Sequence, residues 1–151
     1  MKWQVKTFNA LTNEELYEVL RLRVDVFVVE QACPYPEIDG KDLEALHLMA
    51  KEAHTGKIVA YSRLLAPGVS YEEASLGRVI VASEWRKTGV GLQLLQKAVE
   101  RLLSEYGPTI QIGAQAHLEA YYEKVGFVKN SDVYLEDDIP HIDMLYAPAS
   151  S

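Results

Sequence analysis

"SEWRKTGVGLQLLQ", residues 83–96, decides the fold. Trp85, Arg86 and Lys87 run into Gly89 and Gly91. From Val90 onward Leu94, Leu95, Ala98, Val99, Leu102 and Leu103 trace a helix face as far as Tyr106, where Gly107 and Pro108 are stop signals. The β-branched run "SLGRVIVAS" precedes this stretch, so a strand feeds a helix through a glycine-punctuated turn. Three readings of the glycines compete. In the first they only let the helix begin close to a neighbouring strand. The second, a dinucleotide-binding turn, fails because G-x-G-x-x-G/A needs a small residue where Leu94 stands. In the third, bare backbone lets an anion reach the unpaired N–H groups of the first helical turn, with Arg86 and Lys87 adding charge at the rim. A P-loop is excluded, since no Gly-Lys-Ser/Thr follows. Spacing leaves the first and third readings open.

Upstream, "KWQVKTF" alternates like a strand with Trp3 and Val5 on one face. Thr12 and Glu15 have capping-box spacing, and Leu16, Leu20, Val24 and Phe27 recur at helical intervals, which predicts a helix from about residue 13 into "VFVVEQ". "ACPYPEIDGKD" reads as a loop, and "LHLMAKEAHTGKIVAYSRLL" as a hairpin turning at Gly56. Downstream come a strand, "TIQIGA", a short helix, "HLEAYYEKV", closed by Gly126, and last strands in "FVKNSDVYL" and "HIDMLY". This order predicts one α/β or α+β domain over residues 1–151, built around a mixed sheet.

Composition narrows the function classes. The 151 residues are 48% hydrophobic, enough for one sizeable core, and the net charge of -7 lacks the basic footprint of a nucleic-acid partner. An acidic chain attracts cations and amines instead. The opening "MKWQVKTFNALTNEEL" holds no apolar run of signal-peptide length, and no later stretch approaches a membrane span. One cysteine, Cys33, has no internal partner, which agrees with a reducing, cytoplasmic setting. Cys33 has no adjacent base and is not expected to be a nucleophile. The histidines are too scattered for metal-ligand spacing, so no metal is expected.

The strand "LGRVIVAS" followed by "RKTGVG" resembles the R/Q-x-x-G-x-G/A acetyl-CoA signature of the GNAT N-acetyltransferases. "AQAHLEAYYEKVGFV" resembles their later motif, a helix ending Tyr-x-Lys-x-Gly-Phe, and "FVVEQACPYPEIDGKD" with "VYLEDDIPHIDM" is similar to the ElaA-like branch. The resemblance implies a GNAT fold: a mixed, mostly antiparallel twisted sheet of about six or seven strands flanked by about four helices, with a splayed strand pair binding acetyl-CoA. It also implies N-acetyl transfer from acetyl-CoA to a primary amine, a small cationic one, by direct attack in a ternary complex. A non-catalytic acyl-CoA-binding sensor or interaction module is the alternative, and acetylation of peptide N-termini is a third.

By the same resemblance, Val79, Ile80 and Val81 pair with the pantetheine arm, and the amide of Ile80 or Val81 faces the thioester carbonyl. Arg86, Lys87, Thr88, Gly89, Val90 and Gly91 surround the pyrophosphate. Tyr122 aligns with a tyrosine near the coenzyme sulfur and Gln115 with the family's usual asparagine; Tyr121 reads as the core residue of the tyrosine pair. The base is open between His47, His117 and a water chain, histidine being the side chain that titrates near neutrality. Where some relatives place a glutamate, this chain has Ser75, with Glu72 and Glu73 upstream. Glu30, Glu37, Asp39, Asp42 and Glu44 in front, and Glu136, Asp137 and Asp138 behind, are either solvated or border the acceptor side and attract the amine. A C-terminal strand with Leu145 and Tyr146 exposed would support a homodimer over a monomer.

Overall fold

Thr12 caps the first helix, α1 (Asn13–Arg23). Its hydroxyl accepts the Glu15 N–H at 3.0 Å while Glu15 Oε1 accepts the Thr12 N–H at 2.9 Å, a reciprocal cap worth about 1 kcal/mol. The helical path continues past Arg23 as a π-helical segment, Val24–Glu30, a form that recurs at functional sites. The structure is a computed structural model and describes residues 1–32 and 37–147; Cys33, and with it the expectation that it is no nucleophile, lies outside the described residues.

Strand β1 (Lys2–Thr7) precedes α1, and β2 (Leu46–Lys51), β3 (Ile58–Leu65) and β4 (Ser75–Val81) follow it in an antiparallel sheet of order β1-β2-β3-β4. Every residue of β3 is buried, because helices cover both faces of this sheet. Leu48, Ala50 and Leu64 pack with Leu94, Leu95, Ala98 and Leu102 of α2 (Val90–Tyr106), the predicted amphipathic helix. On the opposite face Met49, Tyr61 and Ile80 meet Val19 of α1.

The second sheet holds β5 (Ile110–Gln115), β6 (Val128–Lys129), β7 (Tyr134–Glu136) and β8 (Ile139–Tyr146), with α3 (Glu119–Glu123) between β5 and β6. "FVKNSDVYL" is thus two short strands. Asp137 and Asp138, at φ 51° and 62°, are the tight turn of the β7–β8 hairpin and not a loose acidic loop. The edge expected at the C-terminus does not exist: Leu145 pairs with Gln111 on one side and Val128 on the other, so β8 is interior and offers no edge for a dimer there. The described residues form eight strands, three α-helices and the π-helical segment, where six or seven strands and four helices were expected; the α+β class stands.

The two sheets meet at one parallel bridge, Ala74 with Ile110, backed by a 2.9 Å hydrogen bond from the Gln111 N–H to the Ala74 carbonyl. Beyond it β4 and β5 part. A bulge in β4 contributes: Tyr61 faces Ile80 but Arg63 faces Gly77, so two steps along β3 match three along β4, and Arg78 sits at φ 50°. An inserted residue of this kind bends its strand and re-aims the side chains around it.

Candidate active site

The parted strands enclose a cleft of about 550 Å³, with Leu76, Gly77 and Val79 on one wall and Ile112, Ala114 and Gln115 on the other. Main-chain groups of β4 face it. The Ala82 N–H donates to the Val59 carbonyl at 2.8 Å, whereas the Val81 carbonyl accepts Arg86 Nε at 3.1 Å, away from β3. N–H directions alternate along an antiparallel strand. Ile80 therefore turns its N–H to β3 and Val81 turns its own to the open side. Of the two amides singled out for the thioester carbonyl, Val81 has the available one.

At the start of α2, Lys87 and Gly89 both adopt left-handed backbone, φ 64° and 89°, and Gly89 is the N-cap of α2. The N–H groups of residues 87 to 92 donate to no carbonyl of the described residues, the first helical bond being Gln93 N–H to the Gly89 carbonyl. Successive unpaired amides of this kind form an anion-binding concavity at the positive end of the helix. The two glycines serve different ends. A side chain at Gly89 would meet open space, so its positive φ is what demands glycine. A Cβ at Gly91 would overlap the Tyr121 hydroxyl and lie 3.3 Å from Val81 Cγ2, so Gly91 makes room for packing.

The loop's side chains are partly committed. Arg86 holds Glu30 in a bidentate pair at 2.6 and 2.9 Å, which keeps that carboxyl below its ordinary pKa. The Thr88 hydroxyl donates to the Trp85 carbonyl. Lys87, exposed, has no partner among the described residues.

Tyr122 is 7% exposed and lines the cleft, and burial, with Tyr121 adding to it, pushes its phenol above the ordinary value. Its hydroxyl has no hydrogen-bond partner among the described residues. The assignment of Tyr121 as the core residue is reversed: Tyr121 is half-buried over Gly91, while Tyr122 is the deeper ring, packed edge-on against Phe127.

His117 is exposed at the cleft rim, and Gln115 donates to Gln31 Oε1 at 3.3 Å, linking β5 to the end of the π-helical segment. His47 is elsewhere. It is 1% exposed under α1 and is not among the cleft-lining residues. Its Nε2 donates to the Asp42 carbonyl at 3.0 Å, so its Nδ1 accepts the Tyr61 hydroxyl at 2.7 Å. Burial lowers its pKa. With both nitrogens occupied and the charged form disfavoured, His47 is a structural histidine.

Of the front acidic residues, Glu37, Asp39 and Asp42 are bound by arginines, while Glu44 is exposed. Arg23, wholly buried, binds Glu37 at 2.9 Å and Asp42 at 2.7 Å. Arg63 binds Asp39 at 2.9 Å and Asp42 at 3.2 Å, and Arg78 reaches Glu37. Three arginines thus neutralise three carboxylates and fasten the segment after the π-helix to β3 and β4. Lys41, Arg63, Arg78, Tyr71 and His141 also line the cleft, and sequence reasoning missed all of them. For Arg63 and Arg78 the signal was their place in strands bordering the signature, two charged residues inside otherwise apolar runs.

Two sheets parted beside a helix start with unpaired amides leave main-chain donors able to meet an anionic ligand. The chain matches the GNAT acetyltransferase domain over residues 8–147 and belongs to that family. It is 42% identical over 146 residues to a UPF0039 protein of Schizosaccharomyces pombe, and 40% identical over 145 residues to Protein ElaA of Escherichia coli, each alignment covering 95% of both chains. The crystal structure of an acyl-CoA N-acyltransferase from Pseudomonas aeruginosa superposes with a TM-score of 0.90 at 45% identity, over 97% of this chain and 100% of that one. That of Escherichia coli ElaA gives 0.89 at 39%, over 96% and 98%.

Proposed function

We propose that this chain transfers an acetyl group from acetyl-CoA to a small primary amine by direct attack within a ternary complex. One observation carries the reading: β4 leaves β5 after the Ala74–Ile110 bridge, with the Val81 N–H turned away from β3 and the unpaired amides of residues 87–92 following at the start of α2. The open edge of β4 suits a pantetheine arm, which carries amides of its own, and the amide concavity suits a diphosphate.

The coenzyme supplies a thioester whose acyl carbon an amine can attack. The Val81 N–H donates to the acyl oxygen as it gains charge. Tyr122 donates a hydrogen bond to the departing sulfur. A phenol of pKa about 10 is a weaker acid than a thiol of about 8.5, so full proton transfer is uphill by about 2 kcal/mol. Burial raises Tyr122 further and keeps it a donor at neutral pH. With Glu37, Asp39 and Asp42 bound by arginines, the pull on a cationic amine comes from Glu136 at the β7–β8 end of the cleft.

A panel of primary alkylamines, read by release of free thiol from acetyl-CoA, tests the activity. Tyr122→Phe should lower kcat about 100-fold while acetyl-CoA affinity stays unchanged. An unaltered rate across the active pH range would remove Tyr122 from the chemistry. Tight acetyl-CoA binding with no thiol release for any amine would make the protein a coenzyme sensor.

A further inference from the structure

Resting on that reading, we infer that His141, through Nε2, is the base that takes the proton from the acceptor ammonium, and that Glu136 holds the resulting imidazolium. An alkylamine with a pKa of about 10.4 is neutral in only about one molecule in 2,500 at pH 7, so removing this proton is a substantial part of the task.

His141 stands at the middle of a row across three strands, paired with Gln115 of β5 on one side and Tyr134 of β7 on the other. It lines the same cleft as Tyr122, Gln115 and Glu136. Its Nδ1 lies 2.7 Å from the Ile139 carbonyl, and a carbonyl can only accept, so Nδ1 carries the proton. Nε2 is then the nitrogen with the free lone pair. The Tyr134 ring stacks on the imidazole at 6.1 Å between centroids and 24° between planes, and the Tyr134 hydroxyl is anchored on Asp143 at 2.7 Å. The ring is therefore held in place and in one tautomer.

Glu136 Oε2 lies 3.5 Å from Nε2. A carboxylate has no proton to offer that lone pair, and at this distance it is near enough to close to the roughly 2.7–2.9 Å of a charge-assisted bond, accepting from the imidazolium once formed. The other charged or titratable groups around the ring are Tyr134, Asp143, Asp137 and, beyond Tyr134, Tyr71; Lys41, Asp39, Arg63 and Arg78 face them across the cleft. His117, by contrast, is exposed and has no hydrogen bond among the described residues to select a tautomer.

The proton balance closes. The ammonium gives one proton to His141 Nε2; the freed lone pair forms the C–N bond as the C–S bond breaks. The thiolate takes a second of the three nitrogen protons, the third remains on the amide, and His141 returns its own to solvent.

The test pairs two acceptors with two variants. With putrescine, or the alkylamine of the panel that the wild type turns over fastest, His141→Gln should lower kcat about 100-fold or more. With methoxyamine, already neutral at pH 7, the loss should be within about threefold, because no base is needed. Glu136→Gln should lower kcat with the alkylamine in the same direction as His141→Gln and by less, while methoxyamine turnover stays within about threefold. Equal losses with both amines would overturn the assignment. Calorimetry with acetyl-CoA separates the two levels: binding intact in the wild type and His141→Gln leaves the coenzyme reading standing whichever way the base falls. No binding by the wild type would bring down both.

Discussion

Gly91→Ala is the substitution that most cleanly separates packing from coenzyme contact at the signature turn. The added Cβ would overlap the Tyr121 hydroxyl and come within 3.3 Å of Val81 Cγ2 and 3.4 Å of Tyr121 Cζ. Tyr121 is half-buried against Tyr122, with the rings 6.0 Å apart edge to face, so its hydroxyl cannot withdraw without turning the ring. Overpacking costs about 1–3 kcal/mol and alanine in a helix recovers about 1 kcal/mol over glycine, a net loss of about 0–2 kcal/mol. For a chain of this size that is a fall in Tm of up to about 8 °C. Tyr121→Phe removes the overlapping atom. In that background Gly91→Ala should cost nothing, giving a coupling equal to the overpacking cost, about 1–3 kcal/mol, between the positions. Urea melts of the four proteins measure it, and calorimetry with acetyl-CoA should find the double variant equal to Tyr121→Phe. Additive stabilities, within about 0.3 kcal/mol, would refute the steric reasoning. Affinity that drops with Gly91→Ala in both backgrounds would mean that this glycine is bare for the phosphate instead.

Asp42→Ala leaves the wholly buried Arg23 and the buried Arg63 short of a carboxylate, so it should destabilise by about 3–5 kcal/mol in chemical denaturation; Asp42→Asn, which keeps the acceptor oxygen, should cost less. Two groups set the acid side of the stability curve. Burial opposes the charge on Glu15, but hydrogen bonds from Lys51, the Thr12 N–H and Lys6 hold its pKa at about 2, against 4.5 ordinarily. A depressed carboxylate stabilises above its unfolded pKa, and that contribution is lost as pH falls from about 5 toward 2. Discounted for the partly solvated lysines, it is about 2 kcal/mol, and Glu15→Gln should flatten melts over that window. The pKa of His47 is lowered from 6.5 by burial, so its neutral form stabilises above that value and stability falls as pH drops below it. His47→Gln should therefore weaken the pH dependence of Tm between about 7 and 5.

Local signals were legible because their causes are local. The Thr12–Glu15 cap, the apolar period of α2 and the glycine turn ahead of it each depend on residues within a few positions of one another. Glu37, Asp39 and Asp42 were not legible as a buried network, since their arginines lie 14 to 41 residues away and a run of acids and prolines looks like any solvated loop. Tyr121 and Tyr122 were exchanged because adjacent helical residues differ by 100° of rotation, and a five-residue helix offers too little period to orient them. His141 was overlooked for a related reason. Its neighbour Tyr134 is set by the turn at Asp137 and Asp138, and Gln115 by the long-range register of β8 on β5. That same register places Leu145 inside the sheet.

Amide hydrogen exchange with and without acetyl-CoA interrogates the cleft residue by residue. If the parted strands hold the coenzyme, exchange should slow at Val81 and across residues 87–92, whose N–H groups are turned outward or unpaired, while Ala82, bonded to Val59, stays as it was. Unchanged exchange at these amides, or protection appearing instead around the separate cavity of about 330 Å³ between Glu18, Glu52 and Glu84, would contradict it.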